Sequence, residues 1–369
     1  MHVGYTPSEE KLRQELRAYF AGLPQAPPGE DEDASENYRE IVRQLGRDGW
    51  LRTEGRTRMD QLIFAEEAAL AGVQVPFLTL YTVAPTIRRH GTAQQRAELL
   101  PRIEAGEVHF SIGYSEPDAG TDLAALRTRA VRDGDHYVIN GQKMWTSLIR
   151  YADYVWLACR TDLGAERHRG LSILIVPTDS PGFSWTPVRT VAGPSTSATY
   201  YSDVRVPVSA LVGEENQGWR LITNQLNHER VALTPAAPLQ RSVREVRDWA
   251  VTTGAIEREW VRLHLARVHA RVEALKLFNW RVAADDTPAP TRASAGKVYG
   301  TELAVEAYRL LMEILGPAAT VRDGSPGALL AGRIERMYRA CLILTFGGGT
   351  NEVQRDIIAA GALGLPIQR

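Results

Sequence analysis

Cysteine is scarce in this chain, and the few cysteines are not arranged for cross-linking or metal binding. Of 369 residues, two are cysteines, Cys159 and Cys341. They lie far apart in apolar surroundings, and neither belongs to a spacing that metal ligands use. Small disulfide-built domains and zinc modules are therefore excluded, and we expect a reducing compartment, the cytoplasm.

Long apolar runs and a strong net charge are also absent. No run of about eighteen or more apolar residues occurs, so no transmembrane helix is predicted. The first residues lead directly to a helix start at Thr6, without the regions of a signal peptide. The formal net charge is −1, so no overall field favours nucleic acid or an anionic membrane as a partner.

The chain does contain a succession of three patterns, at a length too great for one hydrophobic core. Helical patterns fill residues 1–108. Thr6 opens a capping box, Asp60 is predicted to cap a further helix, and another helix follows Thr92. Residues 23–36 are rich in proline, glycine and acidic residues, which predicts a mobile loop. The first segment is therefore a predicted α-helical domain.

The pattern changes twice after that. Residues 109–214 hold short apolar runs and a hairpin signal at Asp133-Gly134, which are typical of a small β-barrel or sandwich. Residues 215–369 return to the helical period, and one apolar seam with steps of three and four suits a four-helix bundle. We therefore predict an α+β multidomain fold. The seam residues are Val261, Leu265, Val268, Val272 and Leu275.

A run of three glycines near the C-terminal end is the most informative segment. Gly347, Gly348 and Gly349 allow φ > 0 and a close approach of the backbone to a ligand. Thr350 is a good N-cap for the helix that follows, and amides at a helix N-terminus suit anionic or electron-rich cofactor atoms. Taken alone, the segment could equally be a glycine loop before a terminal helix.

Two more segments accompany it. Residues 114–122 read Tyr-Ser-Glu-Pro-Asp-Ala-Gly-Thr-Asp, and residues 143–147 read Lys-Met-Trp-Thr-Ser. With residues 347–355, in this order and at these spacings, the chain resembles the acyl-CoA dehydrogenases, a family of FAD enzymes. The resemblance extends from about Thr6 to the end of the chain, and it implies the same order of helical, β and helical-bundle domains.

These segments have the residue types that a flavin needs. An isoalloxazine ring is held by donors at its polar edges and by an aromatic or apolar wall on one face. Tyr114 and Ser115, at the end of a predicted strand, can supply donors together with the turn that reaches Gly120. Trp145 can supply the wall and Ser147 a hydroxyl. Without the other motifs, Trp145 would be interpreted as an ordinary core aromatic.

The resemblance assigns these positions more closely. It implies that Ser115 and Thr121 touch flavin and substrate, and that Trp145 and Ser147 flank the ring. It also implies that Thr350 and Glu352 lie near the adenosine half of FAD.

Dehydrogenation of an acyl thioester removes the α-proton and passes the β-hydrogen to flavin as hydride. It needs a carboxylate over Cα and donors for the developing enolate oxygen. Many relatives carry this Glu at the position of Gly348. Another subset carries it on a bundle helix in a Glu-Arg pair, which Glu229 and Arg230 match. Although a helical Glu is usually a solvated charge, we predict that Glu229 is the base and that the Gly348 amide polarises the carbonyl. Arg230 either contacts the substrate or pairs on the helix surface.

The resemblance also indicates a shared site. In homotetrameric relatives a neighbouring subunit completes each FAD site with an Arg-x-x-Phe-Gly and a Gln-x-x-Gly-Gly-x-Gly segment. The first is missing between Thr234 and Trp280, and the second reads Glu-Ile-Leu-Gly-Pro at residues 313–317. Proline offers no amide, and Glu313 would repel a pyrophosphate. We therefore expect a related subunit in an α2β2 assembly, as in members that act on steroid side-chain CoA thioesters, with an electron-transfer flavoprotein as acceptor.

Other functions stay open at this point. The chain could be a catalytically silent partner that completes another subunit's FAD site. It could be a flavin monooxygenase or resemble nitroalkane oxidase on the same fold, or be a scaffold without flavin. A nicotinamide site is disfavoured because residues 347–349 complete no G-x-G-x-x-G and no βαβ unit surrounds them.

Overall fold

The computed structural model describes residues 4–23, 34–191, 196–232, 234–285 and 289–366. Side chains are described throughout these ranges except at residues 34–37 and 226–232. Most of the loop predicted at residues 23–36 lies outside the described residues.

The N-terminal segment is helical, as predicted, and short capping signals start three of its helices. Capping boxes at Thr6, Thr57 and Thr92 satisfy the first amides of three of them. The prediction of a cap at Asp60 is wrong: Thr57 is the N-cap, and the Asp60 carboxylate bonds back to the Thr57 amide at 2.9 Å. The helices are α1 (Pro7–Ala21), α2 (Ala34–Arg47), α3 (Arg58–Ala71), α4 (Ala84–His90) and α5 (Ala93–Glu104).

The middle segment forms one sheet of eight strands in the order β6-β7-β3-β2-β4-β5-β8, with β1 beside β4. The predicted hairpin joins β2 to β3, but Asp133 pairs with His136. Its turn residues are therefore Gly134 and Asp135, one position later than predicted. The strands are β1 (Phe110–Gly113), β2 (Arg129–Asp133), β3 (His136–Lys143), β4 (Tyr154–Arg160), β5 (Leu171–Pro177), β6 (Phe183–Val188), β7 (Thr196–Pro207) and β8 (Leu211–Val212).

The C-terminal segment is helical, and its centre is a long helix that packs against all the others. That central helix is α9. The predicted seam is confirmed, because all five of its residues are buried on α8. The helices are α6 (Gly218–Ala232), α7 (Ala237–Thr252), α8 (Glu259–Ala283), α9 (Pro290–Leu315), α10 (Arg333–Cys341) and α11 (Asn351–Leu363).

Three apolar cores hold these parts together. One core joins the N-terminal helices to the sheet and to the start of α6, through side chains such as Phe110, Trp156 and Ile222. A second core fills the C-terminal helices, and a third lies within the sheet domain around Leu157 and Val204. Within the described ranges, no helix is both long and apolar enough to cross a bilayer.

Candidate functional site

The end of strand β1 lies directly beside the end of β3. The Met144 amide donates to the Ser115 carbonyl at 2.8 Å, and the Lys143 ammonium donates to the Tyr114 carbonyl at 3.0 Å. These bonds connect the first motif, residues 114–122, to the second, residues 143–147. The structure therefore brings together two segments that the sequence separates by twenty residues.

A buried ion pair reinforces this junction. Lys143 Nζ lies 2.7 Å from Glu116 Oε1, and both side chains are buried. The same carboxylate accepts hydrogen bonds from the backbone amides of Arg127 at 2.6 Å and Thr128 at 2.8 Å. Burial alone would raise the pKa of the Glu116 carboxyl, but the Lys143 charge and these hydrogen bonds hold it below its usual range. Glu116 is therefore an ionised anchor for the loop that carries the first motif.

The loop itself is open to solvent beyond this anchor. Glu116 and Ala119 exchange two backbone hydrogen bonds of 3.0 and 3.1 Å, which close the predicted turn. Gly120 and Thr121 follow on the exposed side, and a Cβ at Gly120 would meet open space. Ser115, before the turn, is half-buried. The backbone of Gly120 and the hydroxyl of Thr121 therefore border free space.

Trp145 is not a core aromatic, so that alternative is wrong. Its side chain is 56% exposed, and its φ of 65° lies in the left-handed region that non-glycine residues seldom adopt. Its neighbours hold it there, since the Met144 amide bonds to Ser115 and the Thr146 amide bonds to the Ser197 carbonyl at 2.9 Å. A large aromatic held outward on a strained backbone is a feature that clusters at ligand sites.

Ser147 follows Trp145 by two positions and is exposed. Its carbonyl accepts from the Ser111 hydroxyl at 2.8 Å, and its own hydroxyl is 3.3 Å from that of Thr196. These two contacts fix Ser147 between the starts of β1 and β7.

The glycine loop precedes α11 as predicted. Gly348 and Gly349 have φ of 66° and 93°, so two of the three glycines use the left-handed region. The Thr350 hydroxyl accepts from the Val353 amide at 3.2 Å, which confirms the predicted N-cap. Glu352 is exposed in the first turn, where a backbone hydrogen bond and the Thr350 hydroxyl lower the pKa of its carboxyl.

Gly349 cannot be replaced without strain. A Cβ there would lie 2.7 Å from Gln354 Nε2, and the backbone is already left-handed. Gly349→Ala is therefore expected to destabilise the protein by about 1–3 kcal/mol. Thermal unfolding of the full chain would measure the loss, with Gly120→Ala as the matched control because its Cβ meets open space. Equal stabilities of the two variants would contradict the prediction.

Helix α6 is anchored beside the first motif by a polar network that the sequence did not predict. Buried Gln225 accepts from the Tyr114 hydroxyl and, at 3.2 Å, from Trp156 Nε1. Its amide nitrogen donates to Thr86 Oγ1 at 3.0 Å, on the N-terminal helix α4. Gln225 therefore joins all three parts of the fold. The only sequence signal was a glutamine that follows the apolar pair Leu221-Ile222 on a bundle helix.

Glu229 stands one helical turn after Gln225 on α6. The side chains of Glu229 and Arg230 lie outside the described part of the structure, so their assigned roles stay predictions.

The segment at residues 313–317 ends α9, and its Glu313 is already paired within its own chain. Glu313 accepts from Arg309 at 2.6 Å and lies 3.1 Å from His264 Nε2. Gly316 follows with φ of 73°, before Pro317.

In the described ranges, no group of three or more His, Cys, Asp or Glu side chains could hold a metal ion.

Comparison with known proteins accounts for nearly the whole chain. Residues 6–107 match the N-terminal domain, 111–204 the middle domain and 216–363 the C-terminal domain of acyl-CoA dehydrogenases. Acyl-CoA dehydrogenase FadE26 of Mycobacterium tuberculosis is 62% identical over 396 aligned positions, which cover 99% of each chain.

Two solved structures are similar over their full length. The ChsE4-ChsE5 complex from Mycobacterium tuberculosis contains a chain that is 64% identical, with a TM-score of 0.94 and complete coverage of both chains. A structure described as the Tcur3481-Tcur3483 steroid ACAD, where ACAD abbreviates acyl-CoA dehydrogenase, gives 47% identity and a TM-score of 0.94 at the same coverage.

Proposed function

This chain belongs to the acyl-CoA dehydrogenase family, and on that premise we propose how it acts. It binds FAD and introduces an α,β double bond into a CoA thioester, as one subunit of a heteromeric enzyme. The observation that carries this proposal is the exposed, left-handed Trp145, held between the two bonded motifs.

The described residues fit a flavin. The exposed Trp145 offers an aromatic wall, Ser147 offers an exposed hydroxyl, and Gly120 and Thr121 offer donors that border open space. The N-terminus of α11, with Thr350 and Glu352, offers amides and polar side chains for the adenosine half. Bound FAD would supply the two-electron acceptor that this chain's own side chains lack.

The protein's own contribution is proton removal and charge stabilisation. We infer that the Glu229 carboxylate accepts the α-proton of the thioester. The Gly348 amide donates to the thioester oxygen as negative charge develops there. Thr121 and Arg230 contact the substrate. Because Gln225 fixes the helix that carries Glu229 against Tyr114, the base and the flavin motifs have a common support.

The relatives support a substrate class and a partner. One similar structure is described as a steroid ACAD. The description of each similar structure names a pair of proteins, ChsE4 with ChsE5 and Tcur3481 with Tcur3483. The incomplete partner segment at residues 313–317 supports a heteromeric assembly independently. We propose a steroid side-chain CoA thioester as substrate, a related dehydrogenase subunit as partner and an electron-transfer flavoprotein as acceptor.

Trp145→Ala tests the flavin site. Because the side chain is exposed, we expect folding stability to change by less than about 0.5 kcal/mol. Flavin content after gel filtration should fall severalfold, because the wall on one ring face is lost. Flavin absorbance per protein and the thermal midpoint measure the two effects. Trp145→Phe, which keeps an aromatic face, should retain most of the flavin; wild-type flavin content in both variants would contradict this site.

Co-expression with a related dehydrogenase subunit tests the assembly and the reaction. Native mass spectrometry should show an α2β2 species with about one FAD per heterodimer. Under anaerobic conditions, CoA thioesters of increasing bulk should bleach the flavin. Thioesters of steroid side chains should give the highest bleaching rate. A flavin-bearing homotetramer would contradict the shared site. Unchanged flavin absorbance with every thioester would favour the silent-partner alternative, and hydroxylated product in air would favour the monooxygenase.

A further inference from the structure

Lys297 is a buried cation on α9 that the reaction described above does not use. The chain contains only four lysines. Lys297 and Lys143 are buried almost completely, and each donates to backbone carbonyls beside one of the motifs. An ammonium group loses much hydration free energy on burial unless hydrogen bonds replace its water. A buried lysine therefore marks a place where the fold needs several donors at one point.

Three acceptors of the Lys297 ammonium belong to the glycine loop or to the helix that follows it. Nζ donates to the Thr345 carbonyl at 3.2 Å, to the Gly349 carbonyl at 2.8 Å and to Asn351 Oδ1 at 2.8 Å. These acceptors stand before the glycines, at the last glycine and at the first residue of α11. A lysine ammonium has three donors, so a single group fastens both ends of the loop.

The neighbourhood strengthens this attachment. Asn351 also donates to Thr301 Oγ1 at 3.1 Å, and the Thr301 hydroxyl donates to the Lys297 carbonyl at 2.8 Å. Lys297, Thr301 and Asn351 thus form a closed set of hydrogen bonds between α9 and the start of α11. The set leaves the loop little freedom to shift along α9.

The same face of α9 also supports the segment that ends α6. Gly300, three residues after Lys297, lies so close to Thr234 that an added Cβ would be 2.6 Å from the Thr234 side chain. Thr234 follows α6, and its carbonyl accepts from Asn279 of α8 at 2.9 Å. Helix α9 is therefore the common support of the glycine loop and of the helix that bears Glu229.

We propose that Lys297 is a positioning residue: it holds the loop of residues 345–349 so that the Gly348 amide faces the thioester oxygen at a fixed place relative to α6. This inference rests on the proposed function. The ammonium touches neither substrate nor reacting atoms and acts through the loop. An amide donor helps only when it lies within a few tenths of an ångström of the place where the oxyanion forms, and a displacement of about 1 Å can cost about 100-fold in rate.

Lys297→Met tests the proposal in the full chain, co-purified with its partner and flavin. Methionine fills similar space and removes all three donors. We expect kcat with an acyl-CoA substrate to fall by about 100-fold, while KM changes by less than about threefold, because a misplaced oxyanion donor weakens the transition state more than the bound substrate. Hydrogen exchange of the amides at residues 346–350 should become at least about tenfold faster.

Lys276→Met is the matched control. Lys276 is partly buried on α8, over the Trp280 ring and near Glu273. The Lys276→Met variant should have the kcat of the wild type and the same hydrogen-exchange rates at residues 346–350. If Lys297→Met does not yield folded protein, Lys297→Gln, which keeps a neutral donor, is measured in the same way and should lie between the wild type and complete loss.

The outcomes separate this proposal from the function on which it rests. A folded Lys297 variant with wild-type kcat and wild-type loop exchange, beside an active wild type, would overturn the role of Lys297 alone. A wild type without thioester turnover would overturn the proposed function. The exchange experiment would then still decide whether Lys297 holds the loop, because it needs no substrate. Faster exchange with unchanged kcat would reduce Lys297 to a structural residue and would also contradict the proposal.

Discussion

Glu229→Gln is expected to lower turnover by about 10⁴-fold while flavin stays bound. General-base catalysis contributes about 10²–10⁴-fold, and the α-proton of a thioester is so weakly acidic that the upper end applies. Glutamine has nearly the same shape as glutamate but cannot accept the proton. Stopped-flow bleaching of the flavin by substrate measures the rate of the chemical step directly, and the visible spectrum reports whether the cofactor remains.

A second carboxylate serves as control for this experiment. Glu273 on α8 is partly exposed and accepts from Gln240 at 3.0 Å. Glu273→Gln removes one charge from the same bundle and should leave the bleaching rate within about twofold. Wild-type bleaching by Glu229→Gln would refute the assignment of the base. Loss of flavin together with activity in that variant would mean that Glu229 supports the fold or the cofactor instead.

The sequence predicted the parts of this fold that depend on short-range chemistry. The caps at Thr6 and Thr350 and the helix start after Thr92 are confirmed, because a capping hydroxyl needs only the amide three residues later. The error at Asp60 arose within the same chemistry, since Thr57 and Asp60 are the two halves of one capping box. The hairpin at Asp133 was displaced by one residue, because the Asp-Gly signal does not by itself fix the register of the strands.

The sequence did not predict features that arise from contacts between distant segments. The sequence analysis missed two elements, the π-helical turn Thr79–Val83 and the helix α4 that follows it directly from Ala84. Neither element has a side chain that caps its first amides, so no short-range signal marks where it begins. The outward position of Trp145 depends on Ser115 and Ser197, whose carbonyls hold its neighbours. Lys297 and Gln225 are informative only after folding places carbonyls and hydroxyls around them.

The sequence therefore proposes which residues form the candidate site, but it does not show the contacts that support them. Resemblance indicated Ser115, Thr121 and Ser147 as ligand contacts, and the structure places all three next to open surface or near the exposed tryptophan. It gave no sign that two buried lysines hold the loops in place. Those supports couple binding to folding, because a change that loosens a loop also removes a buried, hydrogen-bonded charge.

The coupling is strongest at the Lys143–Glu116 pair. Lys143→Met leaves the Glu116 carboxylate buried without its cation, and breaking such a pair costs about 3–5 kcal/mol. The same change removes the bond to the Tyr114 carbonyl, so flavin content should fall as well. Chemical denaturation at neutral pH measures the loss of unfolding free energy. Unchanged stability would mean that the pair contributes nothing to the fold.

The dependence on pH distinguishes an unpaired charge from poor packing. In the wild type the pKa of Glu116 is lowered from its usual 4.5, so its stabilising contribution is complete above that value and is lost as pH falls through the lower folded value. Without Lys143, burial is the largest remaining influence and raises that pKa. The carboxyl of the variant then takes up a proton on folding, so the stability difference from wild type should shrink as the pH falls towards the usual value. The double variant Glu116→Gln, Lys143→Met lacks the carboxyl and should lose most of this pH dependence. If the stability difference between Lys143→Met and the wild type instead stays constant with pH, the loss of stability arises from poor packing.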